Sequence, residues 1–379
     1  MNNPVWVMTS AFASVSLDRI IEITRDIGAQ GMEILVFRRD TDRGDHVATH
    51  IAYDPFGPDE AKRLIDQFNR AGLRFSIGSY ENLIGGDPAA RLNNQNHLLR
   101  LIRMAYLLGG DANDITVGTF VGYNHEIGNL DRGFERNLQE YARVFTPIIR
   151  YAESLGVTLT YENCPMEGWR PETAAFTYNN LPATLAARKL MYTLIPSRAH
   201  GETYDPSHDI WQHVDPVDVI RASDPSRIRR IHVKSSRMRS GPALTHWGGL
   251  YPIQAVDPAL AQKAGVPVPA HAWDRHHYEP TLPGFGGGDG MDWRRFLETL
   301  MELKYAGPFV IENEADNSAH TGNPGATIQG FRATVLNLAP VIWPRVAPLG
   351  YQYDRSAASP LKDPPAKDVP LATMASLGM

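Results

Sequence analysis

A single cysteine, Cys164, stands in the 379 residues. That excludes an internal disulfide framework and a cysteine-rich zinc site. No apolar run approaches the roughly 18 residues that a membrane span needs. The opening Met1-Asn2-Asn3-Pro4 has none of the charged, apolar and small-residue regions of a secretory leader, so a cytoplasmic location with no membrane partner is expected. Neither sign of charge dominates, since 37 basic against 42 acidic side chains leave a net charge of −5, and nothing in that balance suggests a nucleic-acid partner. A phosphate loop is missing as well. The run Gly284-Phe285-Gly286-Gly287-Gly288-Asp289-Gly290 lacks the Lys-Ser/Thr of a P-loop and the spacing of a dinucleotide fingerprint. What remains, 43% hydrophobic and 21% charged, is the composition of a globular chain with ample core.

The chain alternates short apolar runs with amphipathic stretches, and eight such units can be counted. Strands are expected over Pro4 to Ser10, Gly31 to Phe37, Leu73 to Ser79, Asp114 to Thr119, Val157 to Asn163, Gly201 to Asp205, Ile228 to His232 and Pro308 to Glu312. Between them, helices are expected after Ser16, over Asp59 to Ala71, Ala89 to Leu108, up to Leu155, over Leu181 to Leu194, Pro216 to Ala222, from Trp293, and over Gly325 to Leu338. In the fourth of these Tyr141, Val144, Phe145, Ile148, Ile149 and Ala152 recur at helical spacing. Eight repeats read as an α/β fold, a (β/α)8 TIM barrel spanning residues 1–344. Residues 235–290 form a long insertion after the seventh strand, rich in Gly, Pro, His and Trp and with little periodicity, placed at the catalytic face as a lid or an interface. Residues 345–379 are an extended Pro-, Ala- and Asp-rich tail, expected to dock on a neighbouring subunit and hence to mark an oligomer or a partner chain.

Four of the expected strands end on a side chain able to bind a metal: Glu162, Asp205, His232 and Glu312. In a barrel every strand end faces one mouth, so these four can meet there. Taken alone, each reads as a strand-end polar residue in a salt bridge; four matching placements read as a metal site. Three carboxylates and one imidazole suit Mn²⁺ first, with Mg²⁺, Co²⁺ and Zn²⁺ compatible. His208, three residues beyond Asp205, is a candidate for a sugar hydroxyl or a second ion, against a packing role. Lys234 and Arg237 can take substrate oxygens or lie solvated at the surface. His125, beyond the fourth strand, is a candidate general base because its imidazole titrates near neutrality. Trp169 is a candidate for stacking on a sugar or aryl ring, as are Trp211, Trp247 and Trp273. Cys164 adjoins the site but has no specified base beside it, and is expected to be a small filler rather than a nucleophile.

The stretches Tyr161-Glu162-Asn163-Cys164-Pro165, Tyr204-Asp205-Pro206-Ser207-His208, Ile231-His232-Val233-Lys234, and Leu282-Pro283-Gly284 leading through Asp292-Trp293 to Ile311-Glu312 resemble the xylose isomerase-like barrels. That family includes sugar isomerases and epimerases, inosose dehydratases and endonuclease IV, and the resemblance covers roughly residues 5 to 340. It implies that Glu162, Asp205, His232 and Glu312 are the metal ligands, with His208 beside them. Where the family often has an acidic residue after the His-Val-Lys stretch, this chain has Ser235 and Ser236. The insertion and the run Glu162 to Trp169 look similar to the catalytic subunits of bacterial C-glycoside deglycosidases, which pair with a small β subunit and act on 3-oxo-glycosides. By that likeness a base such as His125 takes the proton at C2 of an oxidised sugar and the aglycone leaves by β-elimination. In a sugar isomerase or epimerase, Glu162 and Glu312 instead exchange protons on the two faces of a ketose or sugar phosphate. The sequence favours the eliminating reading, with a small-molecule sugar or 3-oxo-glycoside as substrate and a small β subunit or a second copy as partner; a non-catalytic sugar-binding barrel is the remote alternative.

Overall fold

A computed structural model describes residues 3–40, 48–166, 179–238, 242–247, 256–268, 278–283, 290–314, 327–335 and 359–379. Among these the strands are β1 (Val5–Met8), β2 (Gly31–Leu35), β3 (Arg74–Gly78), β4 (Val117–Thr119), β5 (Leu159–Glu162), β6 (His200–Tyr204), β7 (Ile228–Val233), β8 (Ser235–Met238), β9 (Tyr278–Thr281) and β10 (Phe309–Ile311). All but β8 and β9 form a closed parallel barrel in the order β1-β10-β7-β6-β5-β4-β3-β2. It closes where Val5, Trp6 and Val7 pair with Phe309, Val310 and Ile311. The strands carry apolar residues on both faces because the barrel leaves neither face to water; every residue of β1, β2, β5 and β6 is buried.

The helices are α1 (Leu17–Asp26), α2 (Pro58–Ala71), α3 (Pro88–Leu107), α4 (His125–Gly128), α5 (Gly133–Ser154), α6 (Leu185–Leu194), α7 (Ser207–Ile210), α8 (Pro216–Ala222), α9 (Pro242–Trp247), α10 (Pro258–Ala264), α11 (Trp293–Glu302) and α12 (327–335). Their starts follow from local chemistry. Ser16, Asp87, Thr184, Asp215 and Asp292 each accept a backbone N–H of the first turn, and such caps stabilise a helix by about 1 kcal/mol each. Glu60 reaches back to the Gly57 N–H at 2.9 Å, and Gly72 ends α2 in the left-handed conformation that a side chain would strain. The apolar stripe read along α5 faces the sheet, with Tyr141, Val144, Phe145, Ile148, Ile149 and Ala152 buried.

Two features add to the sequence reading. The segment after β7 has more order than its weak periodicity implies: β8 and β9 pair as an antiparallel hairpin, Ser235 opposite Thr281 through Met238 opposite Tyr278, and α9 and α10 lie between them in sequence. The alternation of strand signals is diluted there by the long connection, and Pro280 sits inside β9. The tail, in its described part 359–379, lies on the chain's own α2 and α3. Arg103 holds both carboxylate oxygens of Asp368 at 2.7 Å, the Leu361 N–H donates to Asn69 Oδ1, and Met374 and Leu361 are buried.

The barrel lumen is lined by Trp6, Met8, Leu35, Phe37, Tyr80, Phe120 and Val310. Glu33, Tyr80 and Arg230 reach into the middle of it, and glycine makes the room. A Cβ on Gly118 would sit 2.4 Å from Tyr80 Oη and 2.6 Å from Glu33 Oε1.

Candidate metal centre

Glu162 is the last residue of β5, Asp205 follows β6, His232 lies one residue from the end of β7 and Glu312 follows β10. In barrel order β10, β7, β6 and β5 are consecutive neighbours, so the four side chains form one continuous arc at the carboxyl ends of the strands. All four are buried, and one ligand atom from each lies within 4.8 Å of the others. His232 Nδ1 is 3.2 Å from Glu312 Oε2 and 3.7 Å from Glu162 Oε1 without completing a hydrogen bond to either. His208 Nε2 is 3.2 Å from Asp205 Oδ2 and 3.4 Å from Glu162 Oε1.

Groups beneath and beside the arc hold it in place, and the sequence reading missed them. Glu33, on β2, accepts from His232 Nε2 at 3.0 Å and from Tyr80 Oη at 2.5 Å, and forms an ion pair with Arg230 at 2.6 Å. With Nε2 carrying the donated proton, the other ring nitrogen is the one turned to the carboxylates. Burial pushes the Glu33 carboxyl up, but the Arg230 guanidinium and the His232 ring outweigh it and hold the pKa at about 2. Asn163 clamps Asp205 through both backbone groups, its Nδ2 donating to the Asp205 carbonyl at 2.9 Å and its Oδ1 accepting the Asp205 N–H at 2.7 Å. Asn180 donates to the carbonyls of Glu162 and Cys164 and accepts the N–H groups of Val121 and Gly122. A signal existed for Asn163, adjacent to Glu162 in sequence; for Glu33, one acidic residue within an apolar strand, the signal was its burial against the period, visible only once a partner is known.

The remaining candidates fall in different places. Lys234 is buried, with Nζ 3.0 Å from Asp205 Oδ2, 2.8 Å from Glu312 Oε2 and 2.9 Å from Glu314 Oε2, so it meets the arc's carboxylates. Arg237 lies on β8 and pairs with Glu279 across the hairpin, directly opposite it in register, and its place is the hairpin rather than the arc. His125 opens α4, half-buried, its ring 5.2 Å from that of Tyr123. Trp211 stacks flat on Tyr278, centroids 4.8 Å apart at 2°, and Trp247 donates to the Pro267 carbonyl. Trp169, Trp273 and the run 284–289 lie outside the described residues.

The residues fit a divalent cation. Burial disfavours charge on each, yet the Lys234 ammonium and the His208 ring hold the Asp205 carboxyl far below its usual range, and the Glu162 carboxylate raises His232 well above its own. Carboxylates and an imidazole drawn together without bulk water form a field that a cation neutralises, and hard oxygens with one nitrogen are the donor set of Mn²⁺ or Mg²⁺.

A sequence profile described as the xylose isomerase-like TIM barrel matches residues 21–334. The chain belongs to that family. Solved structures share the fold. One, named an L-ribulose 3-epimerase, has a TM-score of 0.56 at 15% identity, covering 90% of this chain and 94% of that one. Another, a D-psicose 3-epimerase in the presence of D-fructose, has a TM-score of 0.52 at 14% identity and covers 89% and 99%. A third, an IOLI protein with a bound zinc atom, has a TM-score of 0.55 at 12% identity and covers 89% and 98%. No curated protein matches the sequence. Among the described residues no helix is long and apolar enough to cross a membrane.

Proposed function

We propose that the protein is a divalent-metal-dependent sugar isomerase or epimerase, with a ketose or sugar phosphate as substrate and Mn²⁺ as the preferred ion. The observation that carries this reading is the arc of Glu312, His232, Asp205 and Glu162 on four neighbouring strands, with a glutamate at each end. Family membership and the likeness to proteins named as 3-epimerases support the substrate class.

A divalent ion held by these four residues supplies Lewis-acid polarisation of a sugar carbonyl and its neighbouring hydroxyl. The chain's own residues do the rest. Glu162 or Glu312, as carboxylate, removes the proton from the carbon beside the carbonyl, and the other, as acid, returns one to the opposite face. No electron leaves the substrate and no atom is lost, so no redox partner is needed. His208 presents its ring to a sugar hydroxyl, and Lys234, 2.8 Å from Glu312 Oε2 and 3.0 Å from Asp205 Oδ2, holds those side chains in place. A second reading, β-elimination from a 3-oxo C-glycoside with His125 as base and a small β subunit as partner, draws on the hairpin of β8 and β9. Ser236 Oγ of that hairpin donates to the Ser207 carbonyl at the start of α7, and Trp211 and Tyr278 stack on one another there, both buried, which ties the hairpin to the neighbourhood of Asp205 and His208.

The test is solvent-deuterium exchange into a free ketose by Mn²⁺-loaded protein, run beside an assay for aglycone release from a 3-oxo C-glycoside of a flavonoid. Exchange that stops with chelator and with Glu162→Gln or Glu312→Gln supports the proposal. Metal-dependent aglycone release with no exchange would replace it with the eliminating reading.

A further inference from the structure

The end of the barrel away from the arc holds a cavity of about 710 Å³. It lies where the strands begin, lined by Pro4 before β1, Arg74 of β3, Thr116 before β4, Ile228 of β7 and Pro308 before β10. Small-molecule sites run roughly from 300 to 1,000 Å³, so the size admits a ligand. Trp6 and Ser76 line the cavity from the lumen side and are 5% and 1% exposed. Neither Trp6 Nε1 nor Ser76 Oγ has a hydrogen-bond partner in the protein, a costly state for a buried polar group. Four cations also line the cavity, Arg74, Arg229, Arg230 and Lys304, against the single carboxylate of Asp114. Arg230 is engaged within the barrel by Glu33 and by Thr116 Oγ1. The other three are held loosely. Arg74 Nη2 is 3.6 Å from Asp114 and Arg229 Nη2 is 3.9 Å from Asp111, carboxylates whose side chains are 78% and 40% exposed, so water screens both pairs. Lys304 is exposed at the rim.

We propose that this cavity binds the phosphate group of a small phosphorylated molecule, at a site separate from the sugar site in the barrel mouth. Water could satisfy Trp6 and Ser76 by itself. The cations are what distinguish an anion site from a wet floor, because Arg74, Arg229 and Lys304 converge on it from β3, β7 and the turn after α11. Donors from several directions suit a tetrahedral group with oxygens on every side, whereas a planar carboxylate is served by one arginine fork. Trp6 and Ser76 add neutral hydrogens for oxygens turned toward the lumen. The phosphate group is small against the cavity, and Pro4, Ile228, Tyr305 and Pro308 give apolar surface to the organic part of the ligand. None of the arc's residues takes part, so the site does not depend on the metal or on the sugar reading.

Isothermal titration calorimetry of the full chain in chelator, at constant ionic strength, tests the site with inorganic phosphate, glycerol 3-phosphate, fructose 6-phosphate and fructose. The expected result is one equivalent of each phosphate, tighter for an organic phosphate than for the inorganic ion, with no displacement by fructose. Ser76→Ala and Trp6→Phe each remove a hydrogen that has no acceptor in the protein, so the fold is spared while phosphate binding weakens about tenfold. Lys304→Glu, at an exposed position, weakens it as well, and Glu162→Gln leaves it unchanged. Absence of phosphate binding by the native chain overturns the site. So does binding that survives both Ser76→Ala and Lys304→Glu, or binding lost with Glu162→Gln, which would place the phosphate in the mouth. If neither organic phosphate binds as tightly as the inorganic ion, the phosphorylated ligand is overturned in favour of free phosphate. The sugar reading is judged separately, by deuterium exchange.

Discussion

Replacing Glu33 by Gln separates the metal centre from its support. The carboxylate accepts from Tyr80 Oη and His232 Nε2 and pairs with the Arg230 guanidinium. An amide has one acceptor oxygen and brings two N–H groups of its own, so at least one donor faces another donor. The His232 ring then loses the partner that fixes its tautomer and orientation. Loss of such a partner weakens metal affinity about 10- to 100-fold, which is about 1.4–2.7 kcal/mol. A second effect must be kept apart from the first. Arg230 is fully buried, and removing the carboxylate 2.6 Å from it leaves its charge without that partner, a loss of roughly 3–5 kcal/mol in fold stability. Affinity is therefore measured on folded protein, by the free Mn²⁺ signal in electron paramagnetic resonance at low temperature, and stability by urea unfolding in chelator. The reasoning predicts that both fall. Unchanged Mn²⁺ affinity in a folded Glu33→Gln protein would refute it, because His232 would then be held without Glu33.

The barrel and the arc were legible in the sequence because both are carried by short-range signals. Apolar runs of strand length, each closing on Glu162, Asp205, His232 or Glu312, mark a mouth as soon as the strands are parallel, since a parallel barrel sends every carboxyl end the same way. The cap at Ser16 was likewise local. The support was not legible for the opposite reason. Glu33 is 199 positions from the ring it orients, and within β2 it looks like a polar interruption of a buried strand. Gly118 gave no signal either, because what requires glycine there is the approach of Tyr80 and Glu33 from other strands. Where Arg237 lies was not legible from its nearness to Lys234: three residues on, the chain has already turned into the hairpin, where Glu279 stands opposite. The tail was read from composition, which reports that it lacks a core of its own but not which surface it covers.

Gly118→Ala tests the packing under the arc: its methyl displaces Tyr80 Oη or Glu33 Oε1, and overpacking of this kind costs about 1–3 kcal/mol, so a lower urea midpoint with weaker Mn²⁺ binding is expected, and an unchanged midpoint would show that the lumen yields. Removing residues 359–379 takes away Leu361 and Met374, both buried against the rest of the chain, each worth roughly 2 kcal/mol of burial, and differential scanning calorimetry should show a lower and broader transition; an identical trace would mean that the strap adds nothing. The last prediction concerns pH, through His97 and His200, which lie away from the arc. Burial lowers both rings from 6.5 to about 4, outweighing their hydrogen bonds to the Val36 and Ile195 carbonyls. Between those values the unfolded chain binds protons that the folded chain refuses, so stability is full above 6.5 and is lost as pH falls toward 4. At pH 5 each ring takes away about 2 kcal/mol relative to neutral pH, and the two together about 4 kcal/mol. Carboxylates held low, such as Glu33, begin to matter only below their ordinary value of 4.5 and leave the window from pH 7 to 5 to histidines. Comparing urea unfolding at pH 7 and pH 5 for the native chain and for His97→Gln with His200→Gln isolates these two rings from the others. The pair of substitutions should flatten the pH dependence by most of that amount; an equally steep fall in the variant would place the acid sensitivity elsewhere in the fold.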